Sequence, residues 1–164
     1  MRKSLTTGLS ALLLAASLTL PVPAAELPTS TPQLIEHLGF LGYQCTRELA
    51  DPENAYIQAV HDKQWNFILL KSDNGLSLIV SFKLKPDSLK QRGKLLELLN
   101  TINSTRVLLP QVYLYTNKDG KTDLQIQAWM PDVYDKTAFS AFMERWQEDS
   151  NVAIQMLRDY LALE

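Results

Sequence analysis

The chain has 164 residues, of which 46% are hydrophobic and 21% charged, and its formal net charge at pH 7 is −2. This length supports one domain with a substantial core and leaves too little chain for two. The slightly acidic balance gives no electrostatic reason to bind nucleic acid or an anionic membrane surface. Cys45 is the only cysteine, which excludes an internal disulfide, so stability has to come from packing.

Residues 1–24 have the pattern of a secretory signal peptide. Arg2 and Lys3 precede an apolar run from Leu9 to Leu20, and prolines and small residues follow it. The run is shorter than the ~20 apolar residues of a spanning helix, so an uncleaved anchor is the less favoured alternative. We predict cleavage after Ala24, or else after Ala25, export to the periplasm or the medium, and no stable membrane insertion afterwards.

A short linker, residues 25–31, precedes a single domain over residues 32–164. Thr31-Pro32 begins a helix in which Leu34, Leu38 and Leu41 recur at helical spacing, and Gly42 ends it. Three or four extended segments follow, over "YQCTREL", "AYIQAVH" and "WNFILLKSDNGLSLIVSFKL".

The dipeptide Asn74-Gly75 predicts a two-residue hairpin turn between the last two strands of this group. That turn would set Leu69 opposite Val80 on one face and send Ile68, Leu70 and Ile79 to the other face.

Two further helices are predicted. In the first, Ser88 and Gln91 suggest a capping box, and the apolar positions form a stripe of Leu89, Leu96 and Leu99 with Leu95 and Ile102 beside it. The second begins at Asp135, has an aromatic-rich apolar face, and carries a polar stretch, Glu148–Asn151, that predicts a bend or break.

Between these helices, "QVYLYTNKDGKTDLQIQAW" predicts a hairpin with a bulged three-residue loop and a left-handed Gly120. This register pairs Leu114 with Leu124 and Val112 with Ile126, which are plausible core contacts. A two-residue Asp-Gly turn is the alternative, and it would send both tyrosines of the first strand to the other face.

The elements predict an α+β fold of order α-β-β-β(-β)-α-β-β-α, with one antiparallel sheet of about five or six strands and helices mainly on one face. The second face would then expose a mixed surface of aromatic, aliphatic and amide side chains. We predict that this surface binds a protein partner or a second copy of the chain through Tyr113, Tyr115, Gln125, Gln127, Trp129, Ile68, Leu70 and Ile79. The alternative is that a helix or second layer covers this face.

The segment from Tyr56 to Tyr160 resembles the YbjN family, labelled sensory transduction regulators. The shared elements are Asn100 and Asn103 at a helix end, Arg106, Pro110-x-x-Tyr113, an Asp-Gly turn, an alternating strand and an aromatic-rich closing helix. The resemblance implies a fold similar to that of the type III secretion chaperones, small α+β proteins that often dimerise and bind a client segment. It implies no catalytic residues. Those chaperones act in the cytoplasm, whereas this chain has an export signal.

Residues typical of catalysis or metal binding are few. His37 and His61 are the only histidines, and they show no metal-ligand spacing with each other or with Cys45. No nucleophile elbow or phosphate-binding loop is present, and the acidic groups Glu48/Asp51/Glu53 and Glu144/Glu148/Asp149 suggest solvated turns and faces. We therefore predict a non-enzymatic interaction module without a cofactor. The alternative is a small-ligand-binding protein or hydrolase with a pocket near His61 and Asp62.

Overall fold

The computed structural model of the protein describes residues 31–51, 54–72, 75–131 and 133–163. Its helices are α1 (Thr31–Phe40), α2 (Arg92–Thr105) and α3 (Lys136–Leu157), and a 3-10 turn, Ser88–Gln91, precedes α2. Its strands are β1 (Gln44–Asp51), β2 (Asn54–Val60), β3 (Phe67–Ser72), β4 (Gly75–Lys83), β5 (Gln111–Thr116) and β6 (Thr122–Pro131). The predicted α+β order is confirmed, with four strands before α2.

The six strands form one antiparallel sheet in the order β1-β2-β3-β4-β6-β5. The first four strands follow one another as a meander. The last hairpin then joins that meander through β6, which pairs with β4 along its whole length. As a result, β1 and β5 are the two edges of the sheet.

One face of the sheet carries the hydrophobic core. Ile57, Leu69, Leu78 and Ile126 point to this side and are essentially inaccessible to solvent. Every strand residue in the buried cluster belongs to this face, where the strands meet side chains of all three helices. We call it the core face, and the predicted placement of the helices mainly on one face is confirmed.

The opposite side, which we call the outer face, consists of the alternate strand positions. Among the described side chains they are Gln44 and Thr46 of β1, Tyr56, Gln58 and Val60 of β2, Ile68, Leu70 and Ser72 of β3, Gly75, Ser77, Ile79, Ser81 and Lys83 of β4, Gln111, Tyr113 and Tyr115 of β5, and Asp123, Gln125, Gln127, Trp129 and Pro131 of β6.

The β3–β4 hairpin differs from its prediction in register. Leu69 pairs with Leu78 rather than with Val80, and Ser72 pairs with Gly75, so Gly75 lies in the strand and not in the turn. The predicted turn is therefore wrong. Because the register is displaced by two residues and side chains alternate with period two, each side chain stays on its predicted face. Residues 73 and 74 lie outside the described part of the chain.

The β5–β6 hairpin has the predicted register. Leu114 pairs with Leu124 and Val112 with Ile126. Gly120 adopts a φ of +77°, and its N–H donates to the Asn117 carbonyl at 3.0 Å, which closes the bulged loop. The bulged form is thereby confirmed over the two-residue turn, and both tyrosines of β5 lie on the outer face.

Helix α1 ends as predicted at Gly42, whose φ is +92°. The Gly42 N–H donates to Gly39 O at 3.0 Å, and the Tyr43 N–H donates to Leu38 O at 2.9 Å, so a left-handed glycine cap satisfies the last carbonyls of the helix.

Helix α2 begins at Arg92, later than predicted. The Ser88 hydroxyl donates to the Tyr160 carbonyl at 2.7 Å instead of capping the helix, so the predicted capping box with Gln91 is wrong. A tertiary hydrogen bond to the end of the chain replaces the local one.

The buried side of α2 consists of Leu95, Leu99 and Ile102. Leu89 and Leu96, predicted to belong to the same stripe, are 41% and 40% exposed. The late start of the helix explains Leu89, because this residue lies in the 3-10 turn and not at an α-helical position.

Helix α3 runs without interruption for 22 residues. The Asp135 side chain caps it by accepting the Ala138 N–H at 2.7 Å. The predicted interruption at Glu148–Asn151 is wrong, because Asp149 and Ser150 are buried within the helix. None of the helices in the described ranges is long and apolar enough to cross a membrane. The predicted signal peptide, and the linker up to residue 30, lie outside the described residues.

Candidate functional site

The eight residues predicted to bind a partner lie on one continuous surface. They are Ile68 and Leu70 in β3, Ile79 in β4, Tyr113 and Tyr115 in β5, and Gln125, Gln127 and Trp129 in β6. Ile79 joins the two groups, because it pairs with Ile68 on one side and with Gln127 on the other. Their common location is confirmed, and binding by them stays a prediction.

The outer face keeps large side chains in contact with solvent. Trp129 is 50% and Tyr115 is 46% exposed, while Ile68, Leu70 and Ile79 are partly buried by their neighbours in the sheet. The helices bury their apolar side chains against the core face, so the described helices leave this surface accessible.

A hydrogen-bonded network crosses the outer face from β5 to β4. The Tyr113 hydroxyl lies 2.9 Å from Gln125 Oε1 and 2.6 Å from Gln127 Oε1. Gln127 Nε2 in turn donates to Ser77 Oγ at 3.0 Å, and Ser77 is only 3% exposed. These bonds hold the side chains down against the sheet, so the surface is ordered before any partner arrives.

Burial and then the neighbouring Tyr115 raise the pKa of the Tyr113 hydroxyl above its ordinary value. The hydroxyl therefore stays protonated at physiological pH and keeps its role as a donor within the network.

Trp129 lies across the sheet onto Gly75. A Cβ built on Gly75 would meet the Met130 carbonyl oxygen and would lie 2.8 Å from two carbons of the indole ring. Glycine is therefore required at this strand position, because only the absence of a side chain lets the indole and the neighbouring backbone approach so closely. The indole flattens one end of the outer face.

Charged residues are confined to the margins of the outer face. Among the side chains that the structure describes, they are Lys83 and Asp123, which lie opposite one another at one end of β4 and β6. Asp123 Oδ2 lies 3.5 Å from Lys121 Nζ. The centre of the face thus presents aromatic rings, aliphatic side chains, amides and hydroxyls without a formal charge.

The two histidines make structural hydrogen bonds in different parts of the fold. His37 lies buried between α1 and α3, with Nδ1 3.0 Å from the Tyr134 hydroxyl and Nε2 3.1 Å from the Ser140 hydroxyl. His61 Nδ1 accepts the N–H groups of Lys63 and Gln64 at 2.9 and 3.0 Å, which fixes the loop after β2.

Cys45 is a free, partly buried cysteine, and burial raises the pKa of its thiol, which keeps the thiol in its less reactive neutral form. No cluster of three or more metal-ligand side chains occurs within the described ranges.

The prediction that Asp149 lies on a solvated face is wrong. It is buried, its Oδ2 accepts the N–H groups of Leu108 and Leu109 at 2.8 and 3.0 Å, and its Oδ1 lies 2.8 Å from Arg145 Nη2. Burial alone raises the pKa of this carboxyl, but the two N–H groups and Arg145 outweigh it, and the net pKa lies below its usual value. The side chains of the other acidic group, around Glu48, lie outside those described.

Sequence reasoning missed Gly75 and Ser77 as parts of the outer face. Gly75 was taken for a turn residue because it follows an asparagine, and Ser77 carries no signal of its own. The alternation of β4 could have identified both, since they lie four and two residues before Ile79 on the same face.

No protein-family model matches the sequence, and no curated protein matches it either. Solved structures do match. YbjN from E. coli, described as a candidate transcription regulator, is 16% identical with a TM-score of 0.64, over 81% of this chain and 96% of that chain. An uncharacterized protein from Methanothermobacter thermautotrophicus is 11% identical with a TM-score of 0.56, over 79% of this chain and 97% of that chain. The chain therefore has a YbjN-like fold, as the sequence resemblance predicted.

A third match comes from the heterodimeric ExoU–SpcU complex of the type III secretion system of Pseudomonas aeruginosa. It is 22% identical with a TM-score of 0.41, over 62% of this chain and 81% of that chain. A structure from type III secretion is thus among the matches.

Proposed function

We propose that the chain is a non-enzymatic protein-interaction module that binds its partner through the outer face of the sheet. The observation that carries this proposal is the composition of that face. Protein interfaces differ from solvated surface by their aromatic enrichment and by the depletion of charge at their centre. With 21% charged residues in the whole chain, a solvated sheet face would carry charges across its middle. Here the middle has Ile68, Ile79 and Gln127, and the aromatic side chains of Tyr113 and Trp129 lie beside them.

A second copy of the chain is the partner that this face fits best. In a symmetric pair the same surface meets itself, so any charge at its centre would face a like charge, and an uncharged centre avoids that repulsion. Six strands spaced ~4.8 Å apart, with 6 to 10 residues each at ~3.3 Å, cover roughly 29 by 20 to 33 Å. This area is comparable with the ~800 Å² per partner that a standard interface buries.

Light scattering of the mature protein across concentration tests the proposal. We expect a dimer for the wild type and a monomer for Trp129→Ser, with Tyr113→Ser weakening the dimer less. Phe40→Ser is the matched control, because Phe40 is an aromatic residue that is 83% exposed but lies on α1, away from the outer face. An unfolding midpoint close to that of the wild type would show that Trp129→Ser is folded.

Two outcomes would overturn the proposal of self-binding through this face. One is a wild-type protein that stays monomeric at every concentration. The other is a dimer that Phe40→Ser dissociates and Trp129→Ser leaves intact.

We further propose that the protein acts outside the cytoplasm, on the basis of the signal-like residues 1–24. Removal of Arg2 and Lys3 with that segment leaves 14 of the 16 basic residues against 18 acidic ones, so the mature protein is more acidic. Mass spectrometry of the protein recovered from the periplasm of a bacterial host should find Ala25 as the first residue, or Glu26 if cleavage follows Ala25. An intact Met1 on the recovered protein would contradict export by this route.

A further inference from the structure

The edge strand β5 has a side chain in the place of a neighbouring strand. The Val112 N–H donates to Asn103 Oδ1 at 2.9 Å, and Asn103 Nδ2 donates to the Val112 carbonyl at 2.8 Å. Two opposed residues of an antiparallel ladder exchange the same pair of bonds. The Asn103 amide, which comes from α2, therefore imitates the backbone of a strand paired with β5.

The backbone N–H groups just before β5 are also unavailable to another strand. The N–H groups of Leu108 and Leu109 are bonded to the carboxylate of Asp149, and Pro110 has no N–H to offer. Since Arg145 holds the other oxygen of Asp149, this arrangement is fixed from α3. Leu108, Leu109 and Val112 therefore have no free backbone N–H group with which to bond a new strand, and Pro110 has none at all.

Little of the β5 edge is left for a new strand. In an antiparallel pair, alternate residues direct their N–H and C=O groups away from the partner strand. With Val112 turned toward Asn103, the same side of β5 is offered only by Leu114 and Thr116 before the loop at Asn117 begins.

We propose that Asn103 is a guard that prevents β5 from pairing with a strand of another molecule. Sheets with an open edge pair readily with other chains, and proteins block such edges by several devices. Here the device is a side-chain amide that satisfies the outward groups of Val112. The guard concerns the edge of the sheet and does not depend on the proposed use of the outer face.

The test compares Asn103→Ser with Asn100→Ser in the full mature chain. Asn100 lies one turn earlier on the exposed side of α2, so the same substitution is made in the same helix without touching β5. Amide hydrogen exchange should show a protected Val112 N–H in the wild type and in Asn100→Ser. In Asn103→Ser, the protection of Val112 should be lost.

Light scattering should then show that Asn103→Ser forms species larger than the wild type, and increasingly so with concentration, whereas Asn100→Ser does not. Adding Thr116→Lys to Asn103→Ser should return the mass to that of the wild type, because a lysine on an edge strand opposes pairing. This rescue distinguishes pairing at β5 from aggregation of an unfolded variant, which a lysine at residue 116 would not reverse.

Two results would overturn the guard. Either Val112 stays protected in Asn103→Ser, or its protection is lost while the mass remains that of the wild type at every concentration. Neither result bears on the outer face, which is tested separately by Trp129→Ser.

Discussion

On the core face of the sheet, aliphatic side chains from successive strands meet three helices and lose contact with water, whereas on the outer face the side chains lie down along the sheet and bond to one another. Both faces belong to the same strands: Leu78 is inaccessible to solvent, while Ile79, the next residue of β4, is partly exposed. The first face is stabilised by apolar burial and the second by the Tyr113–Gln127–Ser77 network. The contrast shows that a strand pattern assigns a residue to a face, and that only the rest of the fold decides whether the face is covered.

The strongest test of this contrast replaces two neighbouring residues of β4. We expect Leu78→Ala to lower the free energy of unfolding by about 3 kcal/mol, because it leaves a cavity in a closed core. Ile79→Ala should cost about 1 kcal/mol, because less of its surface leaves water on folding. Urea denaturation measures both. Equal losses would mean that the outer face is as well covered as the core face, and the contrast would fail.

A second test asks whether a buried polar contact on the helical side outweighs a polar contact on the outer face. Asp149→Ala should lower the free energy of unfolding by about 2 to 3 kcal/mol, since it leaves two N–H groups and Arg145 without their partner. Gln127→Ala should cost about 1 kcal/mol, because its bonds join neutral groups and water can take its place at the partly exposed Tyr113 hydroxyl. If Gln127→Ala proved the more damaging in denaturation, the network would be a main source of stability.

Asp149 should also make the free energy of unfolding depend on pH in the acid range. Because the pKa of Asp149 in the folded protein lies below its ordinary value of 3.8, the unfolded chain takes up this proton first as the pH falls. The stabilisation is therefore complete above pH 3.8 and is lost below it. Asp149→Ala should flatten this part of the profile, as measured by urea denaturation at a series of pH values.

A third test adds a methyl group beneath Trp129. Gly75→Ala should lower the free energy of unfolding by about 1 to 3 kcal/mol, because the new Cβ would collide with the Met130 carbonyl and the indole ring. Gly93→Ala is the control, since a Cβ there meets nothing within 4 Å, and in a helix it should raise stability by up to about 1 kcal/mol. Thermal unfolding measures both variants. A higher midpoint for Gly75→Ala than for Gly93→Ala would contradict the packing of the Trp129 indole against Gly75.

The smallest expected effect concerns pH near neutrality and the contact between α1 and α3. Burial, and then Lys136, lower the pKa of His37 below 6.5 in the folded protein. Below pH 6.5 the unfolded chain therefore binds a proton that the folded chain does not, and stability falls until the pH has passed the folded pKa. His37→Gln should remove part of this slope in denaturation curves from pH 7 to 5. An unchanged slope in His37→Gln would contradict this role.

The outer face was predictable because its information is local. The bulged loop at Asn117–Gly120 fixes the register of β5 and β6, and the alternation along the strands then places Tyr113 and Trp129 on one side. Gly75, Ser88 and Asp149 were misassigned for the opposite reason. The position of each is set by a contact with a residue far along the chain. Gly75 packs against the indole of Trp129, the Ser88 hydroxyl donates to the Tyr160 carbonyl, and Asp149 accepts N–H groups from the loop before β5. Such long-range contacts cannot be read from a local sequence pattern.

The position of Trp129 gives the protein an optical reporter of its own surface. Trp146 is enclosed in the core and Trp65 packs against it, so the emission of both should respond little to events at the outer face, whereas the half-exposed indole of Trp129 in β6 lies on the proposed binding surface. Arrival of another molecule there should move the fluorescence to shorter wavelength and shelter the ring from an aqueous quencher such as acrylamide. Occupancy can thus be followed in solution with no label attached.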